Sequence, residues 1–200
     1  DVETVAAVGV RLSAAAPRVA AYLDPRALHN AGRTCIVHGD YKSANMFVTA
    51  DEEGVRHGVS AIDYQWTGPG LPATDLVYLI AMALPAPTEE ALEGTLRGYH
   101  RHFVEARTKV CGEEAGEENK ASFRQLELDF KVALIDFTRW AFCARLSGDT
   151  PEKFRSRLEK MDINLGAWRR DVHVIAWLTE RTILYLNDAD VVRAIGGEAS

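Results

Sequence analysis

The hydrophobic pattern of this chain has a helical period almost throughout, and one segment in its first third interrupts that period. Residues 2–23 are rich in alanine and other good helix formers. After Pro72, apolar residues recur at steps of three and four along the rest of the chain. Three short runs rich in β-branched residues lie between these regions, at residues 34–37, 46–49 and 59–62. The pattern predicts an α+β fold that is mainly helical and carries one small β-element.

A polar turn separates the second and third of these runs and indicates that they form a hairpin. The turn, residues 51–54, ends in a glycine, where a hairpin commonly needs a positive φ. We therefore expect residues 46–62 to form a β-hairpin and residues 34–37 to form a neighbouring short strand. Asn45 directly precedes the hairpin and Asp63 directly follows it, so both should lie at its open end.

The second half of the chain predicts long amphipathic helices. Thr88 is typical of a helix N-cap, and acidic residues follow it in the first turn, where the helix dipole favours them. Apolar stripes with helical spacing run through residues 92–110, 123–144 and 165–186.

The residues around the open end of the hairpin have the chemistry of phosphoryl transfer. Facing positions on antiparallel strands have Cβ atoms roughly 4.5–5.5 Å apart, so the amide of Asn45 and the carboxylate of Asp63 should converge. Such hard oxygen ligands suit Mg²⁺ better than zinc. Asp40, on the loop between the first strand and the hairpin, is placed to orient a hydroxyl and accept its proton. Lys42 is placed to put a positive charge beside the phosphoryl group.

Composition limits the partners and the compartment. The 200 residues include 23 Lys and Arg against 29 Asp and Glu, a formal net charge of −6, which argues against a nucleic-acid partner. The longest apolar run, residues 76–84, is far shorter than the roughly 20 residues that span a membrane, so no membrane partner is expected. The 3 cysteines are widely spaced, which favours free thiols in a reducing compartment, and we expect the cytoplasm.

Some residues of the later helices leave alternatives open. Asp129, Asp136 and Arg139 are polar positions on an otherwise apolar helix, and they either line an acceptor pocket or form a solvated face. Trp140, Trp168 and Trp177 recur with aliphatic neighbours at helical spacing, which favours core packing over a substrate cage.

Two motifs on the β-element are similar to motifs of a known superfamily. Residues 38–45 read His-Gly-Asp-x-x-x-x-Asn and resemble the catalytic loop of the aminoglycoside phosphotransferase and choline kinase-like superfamily, whose members are small-molecule relatives of the protein kinases. Residues 62–65, Ile-Asp-Tyr-Gln, resemble that superfamily's counterpart of the kinase Asp-Phe-Gly element. Residues 68–79 are similar to the subgroup called CHK or ecdysteroid kinase-like. The resemblance is dense over residues 34–110 and looser beyond them.

The resemblance implies a role for each matching residue. Asp40 would be the catalytic base, and Asn45 and Asp63 would be the Mg²⁺ ligands. His38 would buttress the loop, and Asp75 would accept backbone hydrogen bonds beneath it. The cofactors implied are ATP and Mg²⁺, and the substrate is the hydroxyl of a small-molecule acceptor. The short spacing between Asp63 and Asp75 leaves no room for the long activation segment of a protein kinase.

The resemblance also implies a second, nucleotide-binding lobe. The 15 glycines form no G-x-G-x-x-G motif, and nothing like the V-A-I-K strand precedes residue 34. We therefore expect residues 1–200 to be the C-terminal catalytic and substrate lobe of a protein-kinase-like fold, with the N-terminal lobe absent from this chain. The alternative is a non-catalytic binding or scaffold module derived from such a lobe, and a metal-dependent phosphoester hydrolase ranks last. The acceptor's identity and the oligomeric state are left open.

Overall fold

A computed structural model describes residues 2–83, 85–112, 123–145, 150, 152–153, 156 and 172–196 of the chain. Helices make up most of these residues, and short strands occur only in the region between residues 35 and 70, within the described ranges. The predicted α+β fold, mainly helical with a small β-element, is confirmed.

The helices, in chain order, are α1 (Val2–Tyr22), α2 (Pro25–Asn30), α3 (Pro72–Ala83), α4 (Glu89–Cys111), α5 (Phe123–Trp140), α6 (Val172–Leu186) and α7 (Ala189–Ala194). A π-helical turn, Ala141–Arg145, continues α5. The strands are β1 (Cys35–Val37), β2 (Met46–Ala50), β3 (Arg56–Ala61) and β4 (Gly68–Gly70), and the 3₁₀ turns are Ser43–Asn45 and Tyr64–Trp66.

Helices α3 and α5 form the centre of the hydrophobic core. The residues of α5 that include Phe130, Leu134 and Ile135 are almost completely buried, because this helix packs against α1, α3, α4, α6 and α7. Helix α3 carries most of the long apolar run of the sequence, and Val77 and Ile80 are buried in the same core. A helix that is apolar on nearly all sides belongs in a protein interior. Across the described parts of the chain, no helix has the length and apolar character that crossing a membrane requires.

The helix signals in the second half of the sequence are confirmed where the structure describes them. Helix α4 begins after Thr88, whose Oγ1 accepts a hydrogen bond from the backbone N–H of Ala91 at 3.2 Å, as the N-cap prediction requires. Helix α6 begins at Val172, and residues 165–171 of the predicted third helix lie outside the described residues.

Strands β2 and β3 form the predicted antiparallel hairpin. Met46 faces Ala61 at its open end, and Gly54 in its turn has a φ of 80°, which a residue with a side chain rarely adopts. Both faces of the hairpin are largely exposed, and Phe47 and Val59 keep 63% and 57% of their surface accessible. The hairpin therefore contributes little to the core.

The prediction that β1 is the strand next to the hairpin is wrong, because β1 does not pair with β2 or β3. Strand β1 pairs instead with β4, which is antiparallel to it, in a separate two-stranded sheet. The sequence of β4, Gly-Pro-Gly, has poor strand propensity, so it gives no local signal. Gly70 packs closely against Val37: a Cβ at position 70 would be 2.8 Å from the valine Cγ2. The pairing therefore depends on a contact between residues that are distant in the sequence.

Helix α2 is a second element that the sequence did not predict. Pro25 ends α1, as expected, but it also occupies the first position of α2, where its missing N–H costs nothing. The carboxylate of Asp24 caps the new helix by accepting hydrogen bonds from the backbone N–H groups of Arg26 and Ala27 at 2.9 and 3.0 Å.

Candidate active site

The loop after β1 is held by hydrogen bonds to a single carboxylate on α3. Asp75 accepts hydrogen bonds from the backbone N–H of His38 at 2.7 Å and of Gly39 at 2.9 Å, one on each carboxylate oxygen. Charge-assisted bonds of this kind are stronger than those between neutral groups. The prediction that Asp75 accepts backbone hydrogen bonds beneath the loop is confirmed. The buried helix α3 thereby fixes the position of the loop.

His38 joins the same loop to the hairpin. Its side chain is only 7% exposed. Its Nε2 lies 2.9 Å from the carbonyl oxygen of Ile62, and its Nδ1 lies 3.3 Å from the backbone N–H of Asp40. The first contact requires a proton on Nε2 and the second a lone pair on Nδ1, so the neutral imidazole with the Nε2 proton satisfies both. The histidine is a hydrogen-bonded structural residue, as predicted.

Gly39 allows the loop to turn sharply beside the second 3₁₀ turn. Its φ is 83°, and a Cβ at this position would lie 2.8 Å from the Cβ of Trp66. Because a side chain fits neither the backbone angle nor the space, glycine is required here. The turn directs the next residue, Asp40, away from the core and towards a surface concavity.

Asp40, Lys42 and Asn45 form one hydrogen-bonded cluster. The ammonium of Lys42 is 2.5 Å from Oδ2 of Asp40. The side-chain amide of Asn45 donates to the same Oδ2 at 3.1 Å and to the backbone oxygen of Asp40 at 2.9 Å. Asn45 is buried, and because its Nδ2 is held by Asp40, the orientation of its amide is fixed. The structure thus brings together three of the four residues that the sequence singled out.

Asp63, the fourth residue, is tied to the cluster through the backbone. The N–H of Ile62 donates to the carbonyl oxygen of Asn45 at 2.9 Å, so Asp63 follows directly after a residue paired with Asn45. Its backbone is left-handed, with φ 64° and ψ 59°, and its exposed carboxylate accepts a hydrogen bond from Gln65 at 3.4 Å. No hydrogen bond or ion pair connects that carboxylate to Asp40, Lys42 or Asn45.

Asp40, Asn45 and Asp63 are the candidate metal-binding residues of this site. The described residues contain no group of three or more His, Cys, Asp or Glu side chains that could hold a metal, so a metal centre built by protein ligands alone is absent from them. The oxygen donors that are present, the amide of Asn45 and the carboxylates of Asp40 and Asp63, are of the hard type. This set fits Mg²⁺, which usually takes one or two carboxylates and completes its shell with water and substrate phosphates.

A concavity of about 500 Å³ opens in front of Asp40. Its wall is mainly aromatic and apolar: Tyr78 packs edge-on against Phe137 with ring centroids 5.0 Å apart, and Trp140 lies 5.8 Å from Tyr78. The described lining consists of Gly39, Asp40, Lys42, Trp66, Tyr78, Met82 and Trp140. Aromatic and apolar walls with a few polar groups are typical of small-molecule sites.

Some residues that line the concavity were not identified from the sequence. Trp66, Tyr78 and Met82 were not predicted as site residues. Tyr78 lies three residues after Asp75 on α3, so the helical period was a signal that placed it on the same side of the helix. Trp177 is buried in the core as predicted, and Trp168 lies outside the described residues. Trp140 is half-buried: it packs against the core and also lies in this wall.

The polar positions of α5 separate into two kinds. Asp136 and Arg139 form a partly exposed ion pair at 2.8 Å, which is the solvated-face alternative. Asp129 is buried and accepts hydrogen bonds from Tyr22, Gln125 and Arg33. It lines a second cavity and not the concavity in front of Asp40.

Comparison with known proteins gave one family. The sequence model described as "Ecdysteroid kinase-like family" matches residues 11–112, about half of the chain. A search of curated proteins and a search of solved structures found no match. The matched range contains the loop held by Asp75, the hairpin and the two residues that flank it. The chain belongs to the ecdysteroid kinase-like family, a family of kinase-like phosphotransferases.

Proposed function

We propose that this chain is the catalytic and substrate lobe of an ATP- and Mg²⁺-dependent phosphotransferase that phosphorylates a hydroxyl group of a small molecule. The observation that carries the proposal is the placement of Asp40. A buried helix holds its loop rigidly through Asp75, and the concavity in front of it is large enough for a small acceptor. The nucleotide-binding lobe is part of the proposal and would be supplied from outside residues 1–200.

Asp40 would act as the base in this reaction. The acceptor oxygen attacks the terminal phosphorus of ATP, the bond from that phosphorus to the ADP oxygen breaks, and the hydroxyl proton passes to the carboxylate of Asp40. Lys42, 2.5 Å from that carboxylate, would neutralise charge on the phosphoryl group as it moves. The side-chain amide of Asn45 donates one hydrogen bond to this carboxylate and one to the backbone oxygen of Asp40, which holds the carboxylate in place and favours a reactive geometry.

Asn45 and Asp63 would hold the magnesium ion. When bound, Mg²⁺ supplies positive charge that offsets the charge of the ATP phosphates. The amide of Asn45 is oriented for this role because its nitrogen is already bonded to Asp40, which leaves its oxygen to bind a cation. Asp63 directly follows Ile62, whose N–H is bonded to the carbonyl oxygen of Asn45, and this proximity along the backbone supports a shared ion.

The walls of the concavity favour an acceptor with an apolar body. Tyr78, Met82 and Trp140 offer ring and thioether surfaces, and Asp40 is the acidic residue among the described lining. The cytoplasm is proposed as the compartment, which the free thiols of Cys35 and Cys143 support.

The test is a substitution in the intact protein that contains this chain. A library of hydroxylated metabolites is incubated with ATP and Mg²⁺, and products are detected by the mass of one added phosphoryl group. Asp40→Asn should lower turnover of the identified substrate by about 100-fold or more, since a general base contributes 10²–10⁴-fold. Glu52→Gln, on the exposed hairpin turn, is the matched control and should keep the parental rate.

The same experiment separates the catalytic proposal from the scaffold alternative. An Asp40→Asn protein that folds and retains the parental rate would contradict the role of Asp40. A parental protein that phosphorylates nothing in the library but still binds ATP would favour a non-catalytic binding module.

A further inference from the structure

Trp66 is an exposed aromatic residue that lines the concavity in front of Asp40. It keeps 68% of its surface accessible, and within the described ranges its indole makes no hydrogen bond or ring contact. Aromatic side chains in small-molecule sites stack on the rings of their ligands. The indole is therefore open to a ligand that enters the concavity.

The backbone of Trp66 is packed directly against the loop after β1. A Cβ built on Gly39 would lie 2.4 Å from the carbonyl oxygen of Trp66 and 2.8 Å from its Cβ, so the two segments are in close contact. Asp40 follows Gly39 in the sequence, and consecutive Cα atoms are about 3.8 Å apart. The proposed base and the indole thus border the concavity about one residue apart. A ligand that reaches both needs its hydroxyl close to its ring.

The remaining aromatic wall of the concavity comes from other elements. Tyr78 of α3 packs edge-on against Phe137 with ring centroids 5.0 Å apart, and Trp140 of α5 lies 5.8 Å from Tyr78. These rings hold one another in place, whereas Trp66 belongs to the 3₁₀ turn after β3. A flat ligand in the concavity therefore meets ring surfaces from separate segments of the chain.

The charges of the described lining balance each other. Asp40 and Lys42 are its charged side chains, and they pair at 2.5 Å. Lys42 and Asn45 both donate to Oδ2 of Asp40, and no described residue donates to Oδ1, so Oδ1 is the oxygen that can accept a hydrogen bond from a ligand hydroxyl. A charged group on the ligand would lose water without gaining a counter-charge, which is unfavourable. The lining thus favours a neutral ligand.

We propose that this site recognises a neutral aromatic alcohol of the arylmethanol type, with its ring against Trp66 and its hydroxyl bonded to Oδ1 of Asp40. This specificity rests on the proposed function, because the same hydroxyl would receive the phosphoryl group. Trp66 is then a specificity-determining residue that contacts the substrate and takes no part in the transfer.

The test uses benzyl alcohol, its saturated counterpart cyclohexylmethanol, and benzylamine, which is cationic at neutral pH. Binding to the intact protein that contains this chain is measured without nucleotide, by isothermal titration calorimetry and by ligand-observed NMR. Benzyl alcohol should bind saturably and more tightly than benzylamine. Its preference over cyclohexylmethanol, the ratio of the two association constants, should fall about fivefold in Trp66→Ala, since stacking on the indole is lost.

Two further variants serve as controls. Trp66→Phe keeps an aromatic ring and should keep most of the preference. Phe47→Ala removes another exposed ring, which lies outside the described lining, and should keep the parental preference. Because Trp66 is exposed, Trp66→Ala should unfold at the parental midpoint.

Four binding results would overturn the proposal. They are the absence of saturable binding of benzyl alcohol, an unchanged preference in Trp66→Ala, a loss of binding in Phe47→Ala alone, and tighter binding of benzylamine than of the alcohol.

Phosphorylation is measured separately, by the mass of one added phosphoryl group in the presence of ATP and Mg²⁺. Binding that depends on Trp66, with no alcohol phosphorylated, would support the ring recognition and contradict the phosphotransferase proposal. Phosphorylation of other alcohols without such binding would do the reverse.

Discussion

At the scale of single residues, Asp75 positions the proposed base although it does not line the concavity in front of Asp40. Its two oxygens hold the backbone of His38 and Gly39, and Asp40 follows immediately in the sequence. The geometry of the proposed base is therefore set by a side chain on another element. A short motif indicates candidate residues for the chemistry, but the hydrogen bonds that support the motif become visible only when α3 is placed beneath it.

Asp75→Asn should destabilise the fold and the loop together. An asparagine keeps one acceptor oxygen but turns its NH₂ group towards one of the two N–H donors, which then loses its partner. We expect the free energy of unfolding to fall by about 2 kcal/mol, measured by urea denaturation. Asp136→Asn, which removes a partly exposed ion pair of α5, should change it by less than about 1 kcal/mol. Equal effects of the two substitutions would contradict the role of Asp75.

At the scale of elements, the hairpin, α1 and α4 could be predicted because each has a local signal. A polar turn with a glycine, a run of good helix formers and an N-cap are readable in a few neighbouring residues. The pairing of β1 with β4 could not be predicted, because it depends on the contact between Val37 and Gly70, which are distant in the sequence. Helix α2 was missed since Pro25 signals the end of one helix and the start of the next.

Gly70→Ala tests the pairing of β1 and β4. The added methyl group would collide with Val37, so the two strands must separate or Val37 must move. We expect a loss of about 1–3 kcal/mol in the free energy of unfolding, the usual cost of an added methylene in a tightly packed place.

Gly58→Ala is the matched control for that substitution. Gly58 lies in β3, where an added Cβ meets only the Oγ1 of Thr49 at 3.6 Å, an ordinary contact. This variant should be as stable as the parent or slightly more stable, since alanine restricts the unfolded chain more than glycine does. A Gly70→Ala variant with the same stability as Gly58→Ala would contradict the close packing of the two strands. Chemical denaturation of both variants gives the comparison.

At the scale of the whole molecule, a partly buried polar network connects segments that are far apart in the sequence. Tyr22 at the end of α1 donates to Asp129 on α5 at 2.7 Å, and Arg33, after α2, donates to the tyrosine oxygen at 2.8 Å. The sequence singled out Asp129 as a polar position but did not identify its partners. Contacts between residues this far apart leave no periodic pattern that sequence reasoning can detect.

This network predicts a loss of stability at alkaline pH. Burial, followed by the charge of Asp129, raises the pKa of Tyr22 from 10.0 to about 12, so the folded state binds the phenol proton more tightly than the unfolded state. The stabilisation is complete below about pH 10 and is lost as the pH rises towards 12.

The prediction is tested by measuring the free energy of unfolding against pH. Tyr22→Phe should have a smaller alkaline slope than the parent, because it lacks one group that releases a proton on unfolding. Tyr64→Phe, at an exposed position, should keep the parental slope. An unchanged slope in Tyr22→Phe would show that the phenol does not contribute.

The backbone of Asp63 has a consequence for any effort to improve this molecule. Among the described residues, it is the one non-glycine position with a positive φ, and a glycine would hold that conformation at about 1 kcal/mol less. Selection for thermostability alone would therefore replace the aspartate, whereas the proposed role of Asp63 as a metal ligand requires its carboxylate. Asp63→Gly should melt at a higher temperature in a thermal unfolding scan and lose the proposed phosphotransferase activity, so heat resistance and the proposed catalysis would favour different residues at position 63.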